Sequence, residues 1–449
     1  MTEQPKSAQA APRKLGDAML ATSFSSGLIV IVTLLTGIVL APALGPEGRG
    51  DYGSLQFLAQ FGITIFSFSF FDALVIRLRA RGDIGRKAMS LMLIIVLALF
   101  AGVMLVFFGG AKTGLLEAGR LNIEMPFLCL TLLIGVGMLN HGFVAIETSS
   151  LEFRRINLER VASPTLFLVS IVVMAALGEA TPFRAVLAFF VTKLPVAVLR
   201  LVDFRRTIFG PINPALAAEV SRLGPKLHLS VAALALASQA DRLIIVCLWP
   251  ADWVGFYFVA FTAAGVGLTL VVQAINLTLL PTLSGLAIAE QSSKVERLFR
   301  LGLTSGLCVA LAMWVLAPVL VPLVYGQDFA PAAGFVRGLL FSMLLMPVLS
   351  IVNIANKARE RSWPGIEMAL VSVSVFAVGY ALSGYTQPWT LFTAMALANI
   401  ASLLAGLRHL VRAGVVTSVG KLVPEWADFV FLMQTGWRFF GAAWRRVKR

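Results

Sequence analysis

Charged residues are scarce in this sequence. Only 13% of its 449 residues are Asp, Glu, Lys or Arg, whereas a soluble domain carries about 25%. Hydrophobic residues make up 58% of the chain, and the mean hydropathy is +0.86. This composition excludes an ordinary soluble domain. It predicts an all-α polytopic membrane protein, in which frequent glycine lets helices approach closely.

Cysteine and histidine are also rare, with three residues of each. The cysteines have no paired spacing and no histidine nearby, so neither a disulfide framework nor a Cys/His metal site is predicted. The sequence has no HExxH motif, and Gly45-x-x-x-x-Gly50 lacks the Lys-Ser/Thr that a P-loop requires. We therefore predict no metal, no nucleotide and no other cofactor.

The hydrophobic runs predict twelve membrane spans, since a helix needs about 20 mostly apolar residues to cross a bilayer. The run 368–407 is long enough for two spans and is broken at 384–388. Two further spans, 183–202 and 225–248, contain charged residues. The other eight are charge-free runs, namely 18–46, 52–71, 88–111, 125–146, 161–178, 253–289, 301–327 and 338–356.

The distribution of Lys and Arg predicts the orientation of these spans. With the N-terminus in the cytoplasm, the cytoplasmic segments hold 30 of the 37 basic residues, and no outer loop holds more than two. Membrane proteins concentrate Lys and Arg on the cytoplasmic side, so both termini are predicted there. The net charge of +14 has the same origin, and no nucleic acid partner is predicted.

The loops outside the spans are too short to form a catalytic domain. Any function must therefore be built within the helix bundle, and the protein is not predicted to be an enzyme.

Two turns of the chain resemble each other. The first span is followed by Leu44-Gly-Pro and Gly50-Asp-Tyr, and the seventh by Leu248-Trp-Pro and Gly255-Phe-Tyr. The two leucines are 204 residues apart, which indicates a duplicated six-helix unit in parallel orientation. The predicted domains are a cytoplasmic N-tail (1–17), an N-lobe of helices 1–6 (18–206), a C-lobe of helices 7–12 (207–412) and a cytoplasmic tail (413–449).

Three segments of the chain resemble motifs of bacterial polysaccharide flippases in the multidrug/oligosaccharidyl-lipid/polysaccharide (MOP) exporter superfamily. They are the Leu-Gly-Pro and Tyr-Gly element at 44–53, the Asp-Arg-x-x-Ile and Gly-x-Tyr element at 241–257, and the sequence YGQDFAPAAGFVRGL at 325–339. The matches run in order along about 20–410 and leave out the tail after Arg412.

The resemblance implies two six-helix lobes around a central cavity, in a bacterial inner membrane. It implies a substrate of undecaprenyl-diphosphate-linked oligosaccharide, moved to the outer leaflet by alternating access for lipopolysaccharide or exopolysaccharide synthesis. The implied partners are this lipid-linked substrate, membrane lipids and a polysaccharide polymerase machinery.

Lys193 is the most informative charged residue within a span. It lies about eleven residues into its span, near the midplane, and Pro195 follows it. A central Lys costs about 2.5–3.5 kcal/mol on insertion scales, so we predict that it faces a cavity, with chance placement as the alternative. A cation there suits a diphosphate.

Asp241 and Arg242 are adjacent and therefore point about 100° apart around a helix. They do not form a simple pair on one helix face. One interpretation places Arg242 toward the substrate or a gate, with Asp241 holding a partner. The other is a salt bridge between lobes that only fixes packing.

Seven more residues are candidates for substrate binding or gating. Asp72 and Arg77, at the cytoplasmic end of the second span, form an inner gate or a solvated helix end. Arg337 faces the cavity or extends to the membrane surface. Four uncharged residues on the repeat-equivalent second and eighth spans are candidates for binding sugars or joining helices: Gln56, Gln60, Gln273 and Asn276.

The tail after Arg412 carries a stripe of apolar side chains that fits one face of a helix. Basic residues follow it at 445–449. We predict an amphipathic helix on the anionic cytoplasmic leaflet, with a partner-binding helix as the alternative. The stripe consists of Trp426, Phe429, Val430, Met433, Trp437, Phe440 and Trp444.

Two other functions remain open beside the flippase. A cation-coupled multidrug exporter has the same fold. The first span has no carboxylate for a coupling ion, which argues against this function. Asp72, at the end of the second span, keeps it open. A membrane glycan polymerase normally needs a large or carboxylate-rich outer loop, and the sequence has neither.

Overall fold

The structure is a computed structural model that describes most of the chain. The described residues are 11–81, 88–112, 127–150, 152–205, 207–208, 210–283, 288–359, 363–382 and 387–434.

All the regular structure in these ranges is helical, as predicted. Two short 3-10 helices, Gln327–Phe329 and Val419–Leu422, accompany the α-helices. The α-helices are α1 (Ala11–Phe66), α2 (Phe70–Arg81), α3 (Met89–Lys112), α4 (Phe127–Ser149), α5 (Phe153–Ala176), α6 (Pro182–Val191), α7 (Leu194–Phe204), α8 (Pro214–Leu248), α9 (Ala251–Leu283), α10 (Ile288–Tyr325), α11 (Ala332–Met343), α12 (Met346–Lys357), α13 (Trp363–Leu382) and α14 (Pro388–Arg412).

These helices agree with twelve membrane spans. Eleven helical stretches in the described ranges are long and apolar enough to cross a bilayer. The first, Gly27–Phe66, has 40 residues, about 60 Å of helix against a hydrocarbon core of about 30 Å. It is interrupted at Gly45, whose φ of 68° and ψ of 176° are accessible mainly to glycine. The stretch therefore contains two spans.

Several spans are bent within their length. The sixth is divided into α6 and α7 at Thr192–Lys193, ahead of Pro195. The second is broken between α1 and α2, where Phe68 and Ser69 have φ of 46° and 52°. Side chains with positive φ are strained, so this break is held by its surroundings.

Contacts divide the chain into two compact units. The first is Met1–Ala235 with Arg242–Phe258, and the second is Leu236–Asp241 with Val259–Arg449. Most of α8 thus belongs to the first unit by its contacts, and the predicted lobe boundary at 206/207 stays a prediction. Large apolar side chains such as Leu177 and Leu323 are exposed, as expected of surfaces that face lipid.

The two repeated turns contact each other within the first unit. A Cβ placed on Gly50 would lie 1.8 Å from the Ala251 carbonyl oxygen, and one placed on Gly255 would lie 2.0 Å from the Pro46 carbonyl oxygen. Both equivalent pairs, Gly50 with Gly255 and Pro46 with Ala251, are 205 residues apart. The contact is therefore reciprocal, as expected of a pseudo-two-fold repeat, and requires glycine at both positions.

Gly50→Ala is expected to lower the unfolding temperature of the purified protein. The new methyl group would meet backbone rather than a movable side chain, and overpacking of this kind costs about 1–3 kcal/mol or more. Thermal unfolding in detergent measures the effect. Gly102→Ala is the matched control, because an added Cβ there meets nothing within 4 Å. Equal melting temperatures for both variants would contradict the predicted close contact.

The beginning of the tail packs on the second unit. Val415, Val416 and Leu422 are buried in its core. Glu296 accepts hydrogen bonds from the backbone and hydroxyl of Thr417 at 3.0 and 2.8 Å. The tail is therefore not a separate appendage over its first ten residues, because these apolar side chains complete the core.

The predicted tail helix begins within the described residues, which are helical from 426 to 434. Asp428 is buried against Arg300 at 3.0 Å, while Trp426 stays 77% exposed and stacks on Phe429. The rest of the stripe, Trp437, Phe440 and Trp444, lies outside the described residues. Binding of this helix to a membrane surface stays a prediction.

Candidate functional site

A cavity of about 340 Å³ lies in the first unit, among α1, α4, α5 and α6. Side chains with charges or hydrogen-bonding groups make up more than half of its lining. The lining residues are Gln60, Ile63, Thr64, Gly137, Asn140, His141, Val144, Glu159, Arg160, Ser163, Pro164, Phe189 and Lys193.

The break in the sixth span places Lys193 at this cavity. Helix α6 ends at Val191, and Pro195 stands at the start of α7. Proline removes a backbone hydrogen-bond donor and collides with the preceding turn, so the helix is interrupted beside the lysine. The interruption lies at Thr192–Lys193, directly ahead of Pro195.

Aromatic rings, rather than a carboxylate, surround the Lys193 ammonium group. Its Nζ lies 4.4 Å from the centroid of the Phe189 ring and 5.2 Å from that of Phe190. Within the described part of the chain it forms no ion pair. A cation–π contact offsets only part of the cost of burying a charge. The site therefore favours an anion that completes the neutralisation.

Two polar atoms beside this cavity lack hydrogen-bond partners in the described ranges. They are the Asn140 Oδ1 and Ser163 Oγ atoms, in side chains that are 4% and 7% exposed. The amide nitrogen of Asn140 is used, since it donates to the Val136 carbonyl at 3.2 Å. Buried polar groups are nearly always paired, so these two atoms are exceptions within the described structure.

Glu159, the carboxylate of the cavity, is held by Arg200 of α7. Arg200 Nη1 donates to Glu159 Oε2 at 2.8 Å. The same guanidinium donates twice to Glu147 of α4, at 2.9 Å from Nε and 2.5 Å from Nη2. Arg200 and Glu147 are buried, with side chains 5% and 0% exposed. This triad joins three helices, and Glu159 lines the same cavity as Lys193 without forming a salt bridge to it in the described structure.

Asp241 and Arg242 lie outside the cavity. Asp241 is 7% exposed, and the Arg242 guanidinium lies 5.8 Å from the centroid of the Phe57 ring. Contacts assign Asp241 to the second unit and Arg242 to the first, which agrees with the expectation that adjacent charges face different directions. Their substrate and packing roles stay predictions.

Arg77 and Asp72 both lie on α2, and Arg77 is close to α8. Arg77 Nε is 3.7 Å from Glu219, and Arg81 binds the same carboxylate at 2.8 Å. Nearby, Ser69 Oγ is 3.4 Å from His228 Nδ1. Asp72 is exposed. The C-terminal part of α2 and the N-terminal part of α8 are thus joined, and Arg77 takes part in this contact.

The four amide residues predicted to bind sugars do not lie together in the structure. Gln60 lines the cavity, whereas Gln56 is half-buried on the same helix outside its lining. Gln273 is half-buried in the second unit. The side chain of Asn276 lies outside the described part of the structure.

Arg337 of α11 contacts the backbone of α10. Its Nε donates to the Trp314 carbonyl at 3.0 Å, and its guanidinium lies 4.6 Å from the centroid of the Trp314 ring. This carbonyl would normally accept from the N–H of residue 318, which is a proline. Arg337 thus satisfies an acceptor that Pro318 leaves open, and this contact gives it a structural role.

A double-mutant cycle tests this role. Arg337→Ala is expected to destabilise the protein by about 1.5–3 kcal/mol, the contribution of a hydrogen bond from a charged group. In a Pro318→Ala background the loss is expected to be smaller, because an alanine at position 318 supplies the missing N–H. Thermal unfolding of the four proteins gives the coupling energy, and fully additive losses would contradict the proposed compensation.

Several cavity residues were missed by the sequence analysis. Glu159 and Arg160 were placed in a cytoplasmic loop because the charge-free run begins at 161, yet α5 begins at Phe153. Helical hydrogen bonds do not stop where an apolar run stops. Asn140 and His141 lie together in the fourth span, and a polar pair at that position was the available signal. No group of three His, Cys, Asp or Glu side chains in the described ranges is placed to hold a metal ion.

Comparison with known proteins identifies both the family and the fold. The family model described as "Polysaccharide biosynthesis protein" matches residues 39–334. No protein of curated function has a significant match in sequence.

Solved structures of MOP transporters resemble most of the chain. The lipid II flippase MurJ in its inward closed conformation has a TM-score of 0.64 and 12% identity, covering 93% of this chain and 92% of that chain. An inward-facing MATE family multidrug transporter has a TM-score of 0.64 and 16% identity, with coverage of 86% and 95%. The MATE multidrug transporter DinF-BH has a TM-score of 0.56 and 12% identity, with coverage of 93% and 100%.

These similarities confirm the predicted family and its two-lobe helical fold. The family model covers well over half of the chain, and the structural matches extend beyond it toward both ends. The chain belongs to the polysaccharide biosynthesis protein family and has the membrane transporter fold of the MOP superfamily.

Proposed function

We propose that this protein is a flippase that moves lipid-linked oligosaccharide from the cytoplasmic to the outer leaflet of a bacterial inner membrane. The observation that carries the proposal is Lys193, a cation within a membrane span that lines the cavity and forms no ion pair in the described structure. Membership of a polysaccharide biosynthesis family supports a glycan as the cargo, and the diphosphate that links glycan to lipid supplies the anion.

The physical problem in this reaction is the passage of a diphosphate through a slab of low dielectric. Coulomb attraction to a fixed cation strengthens as the effective dielectric falls, so Lys193 lowers the barrier to crossing. A site that bound the substrate in its starting leaflet as strongly as during crossing would not increase the rate of transport. A single free lysine backed by aromatic rings meets both requirements, because it attracts the anion without enclosing it.

Transport by purified protein tests this proposal. Reconstituted vesicles containing a fluorescent lipid-linked oligosaccharide are expected to lose inner-leaflet label faster with the protein than without it. Vesicles that contain the Lys193→Ala protein are the control for non-specific lipid flipping caused by the presence of a membrane protein. Flipping no faster than in protein-free vesicles would contradict the proposal.

A cation-coupled drug exporter is the second candidate, because the fold is shared with MATE multidrug transporters. The charge of the cavity argues against a cationic drug, which Lys193 would repel. The same vesicles loaded with a cationic dye separate the two functions. Dye export driven by an ion gradient, without lipid flipping, would favour the drug exporter.

The proposal includes a topology with both termini in the cytoplasm. Reporter fusions after Lys14 and Arg449 are expected to give cytoplasmic signals, and a fusion after Gln387 an outer one, because the basic residues concentrate in the intervening inner segments. An outer signal at either terminus, or a cytoplasmic signal at Gln387, would contradict it.

A further inference from the structure

The tail helix (426–434) and the N-terminal end of α10 form one surface of the second unit. We propose that this surface binds anionic phospholipid headgroups, with the tail helix lying at the membrane interface and Arg300 of α10 holding it there. The sequence predicted an amphipathic helix in this tail, and the structure adds its point of attachment and the face that stays exposed. The inference does not depend on what the transporter carries.

Asp428 fixes both the start and the attachment of the tail helix. Its Oδ2 atom accepts the backbone N–H of Glu425 at 3.0 Å, which caps the first turn. The same oxygen accepts from Arg300 Nε at 3.0 Å, and Arg300 Nη1 donates to the Lys421 carbonyl at 3.3 Å. Asp428 is only 6% exposed. The helix is therefore held on α10 by the side that carries Asp428.

The apolar stripe lies on the other side of the tail helix. Trp426 is two residues from Asp428 and thus about 200° away around the helix, and Met433 lies seven residues further on the same face as Trp426. Their side chains are 77% and 51% exposed. Trp426 stacks on the half-buried Phe429, with ring centroids 5.2 Å apart. An exposed apolar face of this kind marks a contact with lipid or protein.

The position of the attachment along α10 favours lipid. Arg300 is the last charged residue before the charge-free run 301–327, so it lies where α10 enters the hydrocarbon core. Leu307, Leu311 and Trp314 follow Arg300 on one face of this helix, and they are 45%, 66% and 44% exposed, as expected of a surface that faces lipid. The tail helix is thus attached at the depth of the interface, on the lipid-facing side of α10.

Exposed cations lie beside the tail helix at the depth of the headgroups. Arg297 and Lys294 are about 4.5 and 9 Å further out along α10 than Arg300, and both are exposed. The interfacial layer on each side of the bilayer is about 5–7 Å thick. The Arg297 guanidinium lies 5.4 Å from the centroid of the Phe431 ring. Aromatic side chains and cations together are typical of a membrane interface, and anionic lipids attract the cations.

The carboxylates of this surface are engaged within the protein. Asp428 and Glu425 pair with Arg300 at 3.0 and 3.4 Å. The Glu296 side chain is 9% exposed and lies 3.9 Å from the Lys421 ammonium group, whose side chain is 58% exposed. The charge that this surface presents outward is therefore mainly positive, which complements an anionic headgroup.

Spin labels on the full-length protein in vesicles test the depth of the tail helix. With the three native cysteines replaced by alanine, a label is attached through Met433→Cys. The matched control is Gln434→Cys, at an exposed position about 100° away on the same helix. In vesicles of equal amounts of phosphatidylglycerol and phosphatidylcholine, the label at position 433 is expected to be more accessible to oxygen, which partitions into lipid, than to a water-soluble nickel complex. The label at position 434 is expected to show the opposite.

Three variants identify the contacts through the ratio of lipid-exposed to water-exposed label at position 433. In the vesicles with phosphatidylglycerol, Lys294→Gln and Arg297→Gln are each expected to lower this ratio about fivefold, the usual effect of one cation near an anionic surface. Arg300→Gln is expected to lower it by releasing Asp428. Lys226→Gln removes an exposed cation of the first unit and is expected to leave the ratio unchanged.

A label at position 433 that is more accessible to the nickel complex than to oxygen in the presence of phosphatidylglycerol would overturn the inference and leave the stripe to a protein partner. An equal ratio in vesicles of phosphatidylcholine alone would overturn the preference for anionic lipid. Because Lys294 and Arg297 are exposed, their variants keep the test valid if Arg300→Gln misfolds.

Discussion

Lys193→Ala is expected to abolish or severely reduce glycan export while the protein still reaches the membrane. A hydrogen bond to a charged group contributes about 1.5–3 kcal/mol, so its loss corresponds to at least about a tenfold decrease in rate if the contact acts on the crossing state. Complementation of a flippase-null strain measures export, and an immunoblot of the membrane fraction measures protein level.

The same variant is expected to melt at an unchanged or higher temperature. An unpaired cation near the middle of a span costs about 2.5–3.5 kcal/mol on insertion scales, and its removal relieves that cost. A structural lysine would behave in the opposite way, with lower stability and lower protein level. The two readouts together therefore distinguish substrate binding from packing.

Lys226→Ala is the matched control for Lys193→Ala. Lys226 belongs to the same unit, is exposed and lies outside the cavity lining, so its removal changes the net charge equally. Export is expected to stay normal. Normal export by a well-expressed Lys193→Ala, Arg242→Ala double variant would refute the mechanism of a cation-assisted crossing.

Arg200→Ala is expected to cause the largest loss of stability among the single substitutions discussed. The change leaves Glu147 and Glu159 close together without the guanidinium that both bind. Removing one partner of a buried ion pair costs about 3–5 kcal/mol. We expect a strong decrease in membrane level and in unfolding temperature, with export lost as a consequence.

Arg184→Ala is the control for Arg200→Ala. Arg184 pairs with Glu179 at the surface, where both side chains are at least half exposed, and such pairs contribute about 0–1 kcal/mol. A combined Arg200→Met, Glu147→Gln, Glu159→Gln variant removes all three charges and is expected to recover part of the lost stability. Similar melting temperatures for Arg200→Ala and Arg184→Ala would contradict the buried triad.

Lys193 and Arg200 illustrate how one span serves two purposes. Arg200 lies seven residues after Lys193, on the other side of the break between α6 and α7. The Arg200 guanidinium is paired with two carboxylates, whereas Lys193 forms no ion pair in the described structure. Substitution of Arg200 is expected to affect folding, and substitution of Lys193 is expected to affect transport.

The membrane spans and the fold class were predictable from the sequence alone. A bilayer core of about 30 Å requires about 20 apolar residues per helix, so each span appears as a continuous run. Breaks between spans were visible where glycine or proline interrupts a run, as at Gly45 and before Pro388. The reciprocal contact of Gly50 and Gly255 agrees with the repeat that their spacing predicted.

The partners of individual polar residues were not predictable in the same way. Arg337 and Lys193 both appear as single cations within apolar runs, yet Arg337 binds the carbonyl opposite Pro318 and Lys193 lies over aromatic rings. Glu159 was placed in a loop and lies in a helix, paired with Arg200. The sequence shows that a charge is present but not which helix faces it.

The sequence by itself determined that this protein is a twelve-span membrane protein of a polysaccharide family, because hydrophobic length and local motifs are properties of short segments. Only the tertiary structure decided that Lys193, Asn140, Ser163 and Glu159 share one cavity. These residues come from three different spans, and their meeting depends on how each helix is rotated against its neighbours. The rotation of a helix about its axis depends on how its side chains pack against segments that are distant in the sequence. The residues of that helix alone do not specify this packing.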